Sequence, residues 1–508
     1  MTRGDSISGH SPQHSGDAVA AELPPAAQQL GSACVCTACP MVCEDIRLSG
    51  GAVQHACRHG QGAFAAALQA ATPPAPLAWV RGRACPDAQA VALALAQAAQ
   101  RLQSARRVLV TGLGDATLEA IGVACDIAEA LGAAVDAGSH EMAQTTGPEI
   151  ARSGEVTAAW EEVRDRADLV LFWFHDPALS HPRFLERFVL PSPLAAGASP
   201  APARPLQRRT LSVGEAPVLP VGPHHQHLPL ASGHCLELTR LLHASLAGCS
   251  SPADVATSLT AARTLLQEAI GAAGCVAVVT QAEHESGLEA WGVAELVRSI
   301  NRTKSAFAIP LENGLNRGGS PGANAAGAAA VCTWRYGAAG AVARADRSGG
   351  AFLPAEADAC RLILRGEVDA VLAVGPLLPS VEAALAVRGK SPPCPSSTLP
   401  TGGNVEDFPG RQASPPAIRH LHSLLASRDT PLTLVRVDDR LAYPPPVTAD
   451  IHLRCASLLC GGPGTLLRAD GREVCLGPPV ATSTAPPMVA LLSTLLAQLR
   501  AATEGDAA

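Results

Sequence analysis

Cys36, Cys39, Cys43 and Cys57 stand in a C-x2-C-x3-C-x13-C array, the part of this chain richest in chemistry. Three thiolates within eight residues, joined by a fourth from a following turn and strand, suit a [4Fe–4S] cube. Each iron corner takes one thiolate, and three corners are within reach of one tight loop. The alternatives are a structural zinc, which more often takes its ligands as paired knuckles, and an array that binds nothing. Cys34 competes with Cys36 for the role of first ligand, and Cys36 gives the more usual spacing.

Other segments carry weaker signals. Gly112–Thr117 (GLGDAT) follows an apolar run and opens a helix, so its amides are placed to receive a phosphate. It lacks the third glycine of a dinucleotide fingerprint, and a plain strand-to-helix turn accounts for it equally well. The Gly-rich run at 313–327 reads as a mobile loop. His224, His225 and His227 have no partner carboxylate or cysteine in sequence and read as free surface histidines. His140, His175 and His181 follow no ligand spacing, and no nucleophile elbow occurs, so no serine-hydrolase triad can be argued. Cys125, Cys332 and Cys360 lie in apolar contexts and read as core residues. With only Lys304 and Lys390 present, few candidates exist for a Schiff-base lysine.

The elements that must position these residues fill a chain of 508 residues, too long for one core. Its 47% hydrophobic and 16% charged content describe a globular protein whose core rests on Ala, Leu and Val. A net charge of −7 with no basic block excludes nucleic acid and anionic membrane as partners. No apolar run reaches membrane-spanning length, and the polar N-terminus has no signal-peptide core. Scattered cysteines without an export signal indicate metal binding and buried thiols in the cytoplasm.

Along the chain, 1–32 reads as a flexible leader and 33–62 as the metal module, with GGAVQHAC turning Cys57 back to the loop. Residues 63–190 read as a first α/β lobe, with strands at VLVTG (108–112) and DLVLFWF (168–174). Residues 191–230, rich in Pro, Ala and Arg, read as a surface insertion or linker. Residues 231–447 form a second α/β lobe, with strands at GCVAVVTQ (274–281), VDAVLAVG (368–375) and PLTLVRVDD (431–439). At 448–508, short antiparallel strands turning at Asp470–Gly471 and a closing helix pack back on the lobes. The expected class is α/β, a small metal module ahead of two doubly wound parallel-sheet lobes.

CTACPMVCEDIRL…VQHACRHG resembles the opening of the B-type subunit of formylmethanofuran dehydrogenase, of the molybdopterin oxidoreductase superfamily. DLVLFWFHDPALSHPRF (168–184), RLILRGEVDAVLAVG (361–375) and TADIHLRCA…GGPGTLLRADGREVCL (448–476) are similar to that family in the same order. The likeness runs from about residue 33 to 480 and fades over 191–230. It implies a formate dehydrogenase/DMSO reductase-like fold of domains I–III: an N-terminal [4Fe–4S] module held by Cys36, Cys39, Cys43 and Cys57, and two lobes enclosing a molybdenum or tungsten bis-pterin. The C-terminal barrel is absent and supplied by another subunit. In the family the catalytic metal takes a Cys or selenocysteine in a D-x-x-x-x-C-H-G-P segment. Here Ser139 stands at that position, in Asp136-Ala-Gly-Ser139-His140, and the Gly-Pro is missing. LSVGEAP (211–217) replaces the family's V-D-x-R-x-T strand end. These departures speak against a working Mo/W-bis-pterin site.

The resemblance therefore implies the bacterial, formyltransferase/hydrolase version of the complex, which serves tetrahydromethanopterin-linked formaldehyde oxidation to formate. The chain is expected to be a structural, redox-inactive subunit. Its expected partners are an amidohydrolase-like hydrolase, a formyltransferase and a barrel or β-helix-type subunit, around a methanofuran-like carrier. The alternatives are an active Mo/W-pterin catalytic subunit and a zinc-stabilised interaction protein outside one-carbon chemistry.

Overall fold

The computed structural model describes residues 32–49, 52–69, 76–85, 87–137, 154–190, 208–249, 255–281, 287–311, 322–346, 350–353, 356–389, 432–439, 449–477, 479–481 and 483–505. Ser139, His140, Lys390, nearly all of the leader, residues 191–207 and residues 313–321 lie outside these. The described chain is α/β, with four sheets.

The first sheet is small and antiparallel: β1 (Ser32–Cys34), β2 (Ile46–Ser49) and β3 (Ala52–Gln54), with β2 central. It carries the cysteine loop between β1 and β2 and leads from β3 through Cys57 into helix α1 (Arg58–Gln69).

A second, parallel sheet is built from β8 (Leu169–Trp173), β9 (Arg209–Gly214), β10 (His225–Pro229), β11 (Cys275–Gln281) and β12 (Ser305–Leu311). Its five strands run in the order β10-β9-β8-β11-β12. The two-residue period of a strand divides its faces. Leu169, Leu171, Trp173, Val276, Val278, Ala306 and Ala308 face the helices Cys235–Leu246, Thr257–Ala272 and Gly287–Ile300. Val170, Phe172, Ala277, Val279, Phe307 and Ile309 face the other way, and onto them packs the cysteine module through Cys36, Cys39, Met41, Cys43, Ile46 and Phe64. The cysteine module is thus a plug on one face of this sheet.

In the largest sheet, β6 (Val108–Gly112), β7 (Ala134–Asp136), β13 (Ala370–Val374), β14 (Thr433–Asp438) and β15 (Ile451–Arg454) are parallel. Strands β4 (Ala78–Val80) and β5 (Arg83–Cys85) add an antiparallel edge. The order of the seven is β5-β4-β15-β14-β13-β6-β7. Helices α2 (Ala88–Ser104) and α3 (Leu118–Leu131), with Met488–Gly505, cover one face; Ala359–Leu364 and Pro379–Val387 cover the other. Continuous apolar runs such as VLVTG and AVLAV are what strands buried on both faces require.

Three expectations need correction. The lobes do not follow one another in the chain: the five-stranded sheet uses residues 169–311, inserted between β7 and β13 of the other. Parallel pairing needs a crossover, and here the crossover is a whole lobe. The expected linker 191–230 contains β9 and β10; Leu211 and Val213 alternate with Thr210 and Ser212, a half-polar pattern that Pro-rich surroundings masked. Ile451–Arg454 belongs to the large sheet, parallel to β14 on one side and antiparallel to β4 on the other, and the expected antiparallel hairpin is β16 (Gly464–Leu467) with β17 (Glu473–Leu476), which turns at Asp470–Gly471.

The β16–β17 hairpin clamps the parts together. Leu466, Val474 and Leu476 pack on Val42 of the cysteine loop, and the Ala469 amide donates to Pro40 O at 3.3 Å. Thr465 Oγ1 donates to Glu119 Oε1 of α3 at 2.9 Å. Arg468, fully buried, forks onto Glu161 and Asp470 and lies 5.0 Å from the Trp160 ring centroid.

Candidate metal centre

The cysteine loop is closed by its own backbone. The Cys36 amide donates to Cys43 O at 2.8 Å and the Val42 amide to Cys39 O at 3.1 Å. Closing the loop puts Val42 at φ 41°, a left-handed conformation costly for a β-branched side chain, and such strain collects at functional sites. Cys57 arrives from β3 through His55 (φ 62°) and starts the turn into α1, where Gln61 N donates to Cys57 O at 2.9 Å.

Cys36, Cys39 and Cys43 are each 5% exposed, and Cys57 is half-buried. The four thiols are near enough that Cys43 and Cys57 each disfavour ionisation of Cys36 and Cys39. Burial is the larger cause: it pushes Cys36 up to about 12 and Cys39 well above the ordinary thiol value. Cys43 is also raised by burial, but less freely, because Arg187 and Arg183 favour its thiolate. Helix α1 reaches the site through a glycine. A Cβ on Gly60 would stand 3.1 Å from Cys36 Sγ, so the bare backbone leaves the sulfur its space.

The donor set is four sulfurs. A single zinc holds its thiolates about 4 Å apart, from Zn–S bonds of about 2.3 Å. Among the described residues no three His, Cys, Asp or Glu side chains gather closely enough for one ion. Four thiols are a donor set of the kind that a [4Fe–4S] cluster or a structural zinc takes.

Behind the loop stands a wall that the sequence concealed. Arg183 forks onto Asp45, Nη1 to Oδ1 at 2.8 Å and Nη2 to Oδ2 at 2.7 Å, with 5% and 7% of the two side chains exposed. Burial alone would raise the Asp45 pKa; the Arg183 hydrogen bonds and both guanidinium charges reverse this and hold it below the usual carboxylate range. Arg183 also binds Glu186 at 2.8 Å, and Arg187 stands 3.7 Å from Asp45 Oδ1. The only sequence signal was the S-H-P-R run at 180–183.

His175 and His181 belong to the same buttress. His175 Nε2 and His181 Nδ1 each lie 2.9 Å from Ser180 Oγ, and His181 meets the Trp160 ring edge-on at 5.6 Å. Asp176 accepts from Ala178 N at 2.9 Å and starts the short turn Pro177–Ser180. The polar residues of HDPALSH thus fold onto one another beneath the module.

The remaining candidates take structural places. At the switch point between β6 and β13, where open α/β sheets ordinarily take a ligand, chain backbone fills the space. A Cβ on Gly112 would stand 2.4 Å from Val374 O, and Gly114 O accepts from Asn324 N at 2.7 Å. Gly112–Thr117 forms a strand-to-helix turn against which residues 322–324 pack, rather than facing a free loop. His225 is buried between Thr210 Oγ1 (2.8 Å) and Ser212 Oγ (3.1 Å), and His227 lies 2.9 Å from Ser212 Oγ; these two are not free surface histidines, whereas His224 is exposed. Cys125 and Cys332 are buried, and Cys360 is half-buried. Asp136, which opens the segment containing Ser139, accepts from Ala359 N at 2.8 Å and so holds a helix start. Strand β9 ends at Val213–Gly214, and the exposed Glu215 follows it.

No known family model matches this chain, and no curated protein sequence matches it. Among solved structures, a chain of the formyltransferase/hydrolase complex from Methylorubrum extorquens, crystallised with methylofuran, superposes on it with a TM-score of 0.58. The match covers 84% of this chain and 99% of that chain at 21% identity. The two chains share a fold. The resemblance read from the cysteine array and the segments after it thus reappears in three dimensions, over nearly the whole of the Methylorubrum chain. Among the described residues no helix is long and apolar enough to cross a membrane.

Proposed function

We propose that this chain is the B-type member of a formyltransferase/hydrolase complex in methanofuran-linked one-carbon metabolism, structural and redox-inactive, and carrying a [4Fe–4S] cluster. The observation that carries the assignment is the fold match to a chain of such a complex over 99% of that chain. Four converging thiols, a glycine that leaves Cys36 its space, and two guanidiniums beside Cys43 support the cluster. When bound, the cluster cross-links the loop, the turn into α1 and the sheet beneath them. Ser139 in place of a thiolate ligand supports the loss of the pterin metal. On this reading the chain docks the amidohydrolase-like subunit and helps surround a methanofuran-like carrier.

Anaerobic purification through a tag on this chain tests the reading. Formyltransferase and hydrolase subunits should co-purify, with about four irons per copy and no stoichiometric molybdenum or tungsten. Stoichiometric molybdenum or tungsten would replace it with an active redox subunit. Zinc alone, with no partner chains, would leave an interaction protein outside one-carbon chemistry.

A further inference from the structure

Edge strand β10 is tied to β9 by more than its backbone ladder. Thr210 and Ser212 stand level with Val170 and Phe172, and His225 and His227 with Thr210 and Ser212, so all share the face onto which the cysteine module packs. Thr210 Oγ1 donates to His224 O at 3.1 Å and lies 2.8 Å from His225 Nδ1. His225 Nε2 lies 3.1 Å from Ser212 Oγ, which is 2.9 Å from His227 Nδ1. A carbonyl only accepts, so the Thr210 hydroxyl is spent on His224 and accepts from His225 Nδ1. His225 Nε2 is then the acceptor for the Ser212 hydroxyl, and Ser212 accepts from His227 Nδ1. Every proton of the line is thereby placed, and His225 is neutral in it. Ser212 is fully buried and His225 is 4% exposed, so water cannot stand in for a lost partner.

We propose that the line Thr210–His225–Ser212–His227 is an acid-sensitive catch, which holds edge strand β10 to the five-stranded sheet at neutral pH and releases it when both histidines are charged. One extra proton is accommodated. Taken up at His227 Nε2, it lets the Nδ1 proton pass to Ser212 and the Ser212 proton to His225, after which the Ser212 hydroxyl donates to His227. With both rings charged, two N–H groups point at Ser212 Oγ, and neither ring offers its hydroxyl an acceptor. Around His225 stand Thr210 and Ser212 of β9, the Phe172 ring of β8 at 6.4 Å, and His227, the one group among the described residues whose charge bears on it. Burial first and His227 second hold His225 below its ordinary 6.5. A histidine lowered in the folded state stabilises the fold above its unfolded value, and that contribution is lost as pH falls below 6.5. Val218 and Leu219, just before β10, pack on the cluster that includes the cysteine loop, so release of the edge loosens one flank of the plug. The catch needs no bound metal and no partner chain.

The test is hydrogen exchange of the full chain between about pH 7.5 and about pH 5, each rate being divided by the intrinsic rate at that pH so that protection alone is compared. The amides of β10 should lose protection over this range while those of β8 and β11 keep theirs. His225→Asn and His227→Gln each leave a single imidazole on Ser212 and should flatten the step. No step in wild type, or a step that survives in both variants, overturns the proposal. If neither variant folds, the imidazole nitrogen spectrum of wild type decides. His225 should still be mostly neutral, with its proton on Nδ1, at about pH 6, where an ordinary histidine is mostly charged; a mostly charged His225 ring there overturns the catch.

Discussion

At the scale of single residues, the chain repeatedly uses arginine as a buried fork. Arg208 is the fullest case. Nε donates to Ala167 O, Nη1 to Phe188 O and Val189 O, and Nη2 to Val163 O and Arg164 O. These five bonds match the five N–H donors of a guanidinium, and the carbonyls belong to the last turns of two helical segments. Arg468 does the same for carboxylates, and it sets up a pH dependence. Burial would raise the Glu161 pKa, but the Arg468 hydrogen bonds and charge, with help from Arg472, bring it down to about 2 from an ordinary 4.5. A depressed carboxylate stabilises the fold above its unfolded value, and that contribution fades as pH falls from about 4.5 towards 2. Glu161→Gln should therefore cost about 2–3 kcal/mol in urea unfolding near pH 6. The gap to wild type should shrink near pH 3; an unchanged gap would contradict the assignment.

At the scale of elements, Asn324 is the point where three pieces of chain meet. Its Nδ2 donates to Ala116 O at 2.6 Å, and its Oδ1 accepts from Leu467 N at 2.7 Å. Asn324→Ala would leave a carbonyl and an amide unpaired in a buried place, at about 2–4 kcal/mol. Hydrogen exchange of the 464–476 hairpin should then rise well before that of β8 or β11. Asn324→Asp, which still accepts from Leu467 but sets a carboxylate oxygen against the Ala116 carbonyl, should cost at least as much at neutral pH. Neither this junction nor the Arg183–Asp45 fork was legible in the sequence. Partners 143 and 138 residues apart leave no local pattern. The buried parallel strands were legible, because VLVTG, LVLFW and AVLAV are apolar throughout and end at turns. Strands β9 and β10 escaped because their inward polar residues satisfy one another: His225 between Thr210 and Ser212 looks hydrophilic until the pairing is seen. At the site the four cysteines were legible from spacing alone, and the guanidinium wall was not.

For the whole molecule, the module is both a plug on the five-stranded sheet and a support for the β16–β17 hairpin that reaches the large sheet. Damage to it should therefore be felt as assembly. On the proposed function, Cys39→Ala should lower the yield of assembled complex and its iron content, while formate formed per assembled complex stays near wild type. A normally assembled but inactive complex would contradict a structural role. The interleaving of the two lobes sets an order of events during synthesis. The five-stranded lobe, continuous from β8 to β12, can close as soon as Leu311 has left the ribosome. Strands β6 and β7, made earlier, must wait for β13 to β15 to complete their sheet. Until then one edge of β6 stands open as a template for the wrong partner. The inserted lobe offers the finished surface on which the cysteine plug can seat while the large sheet is still incomplete.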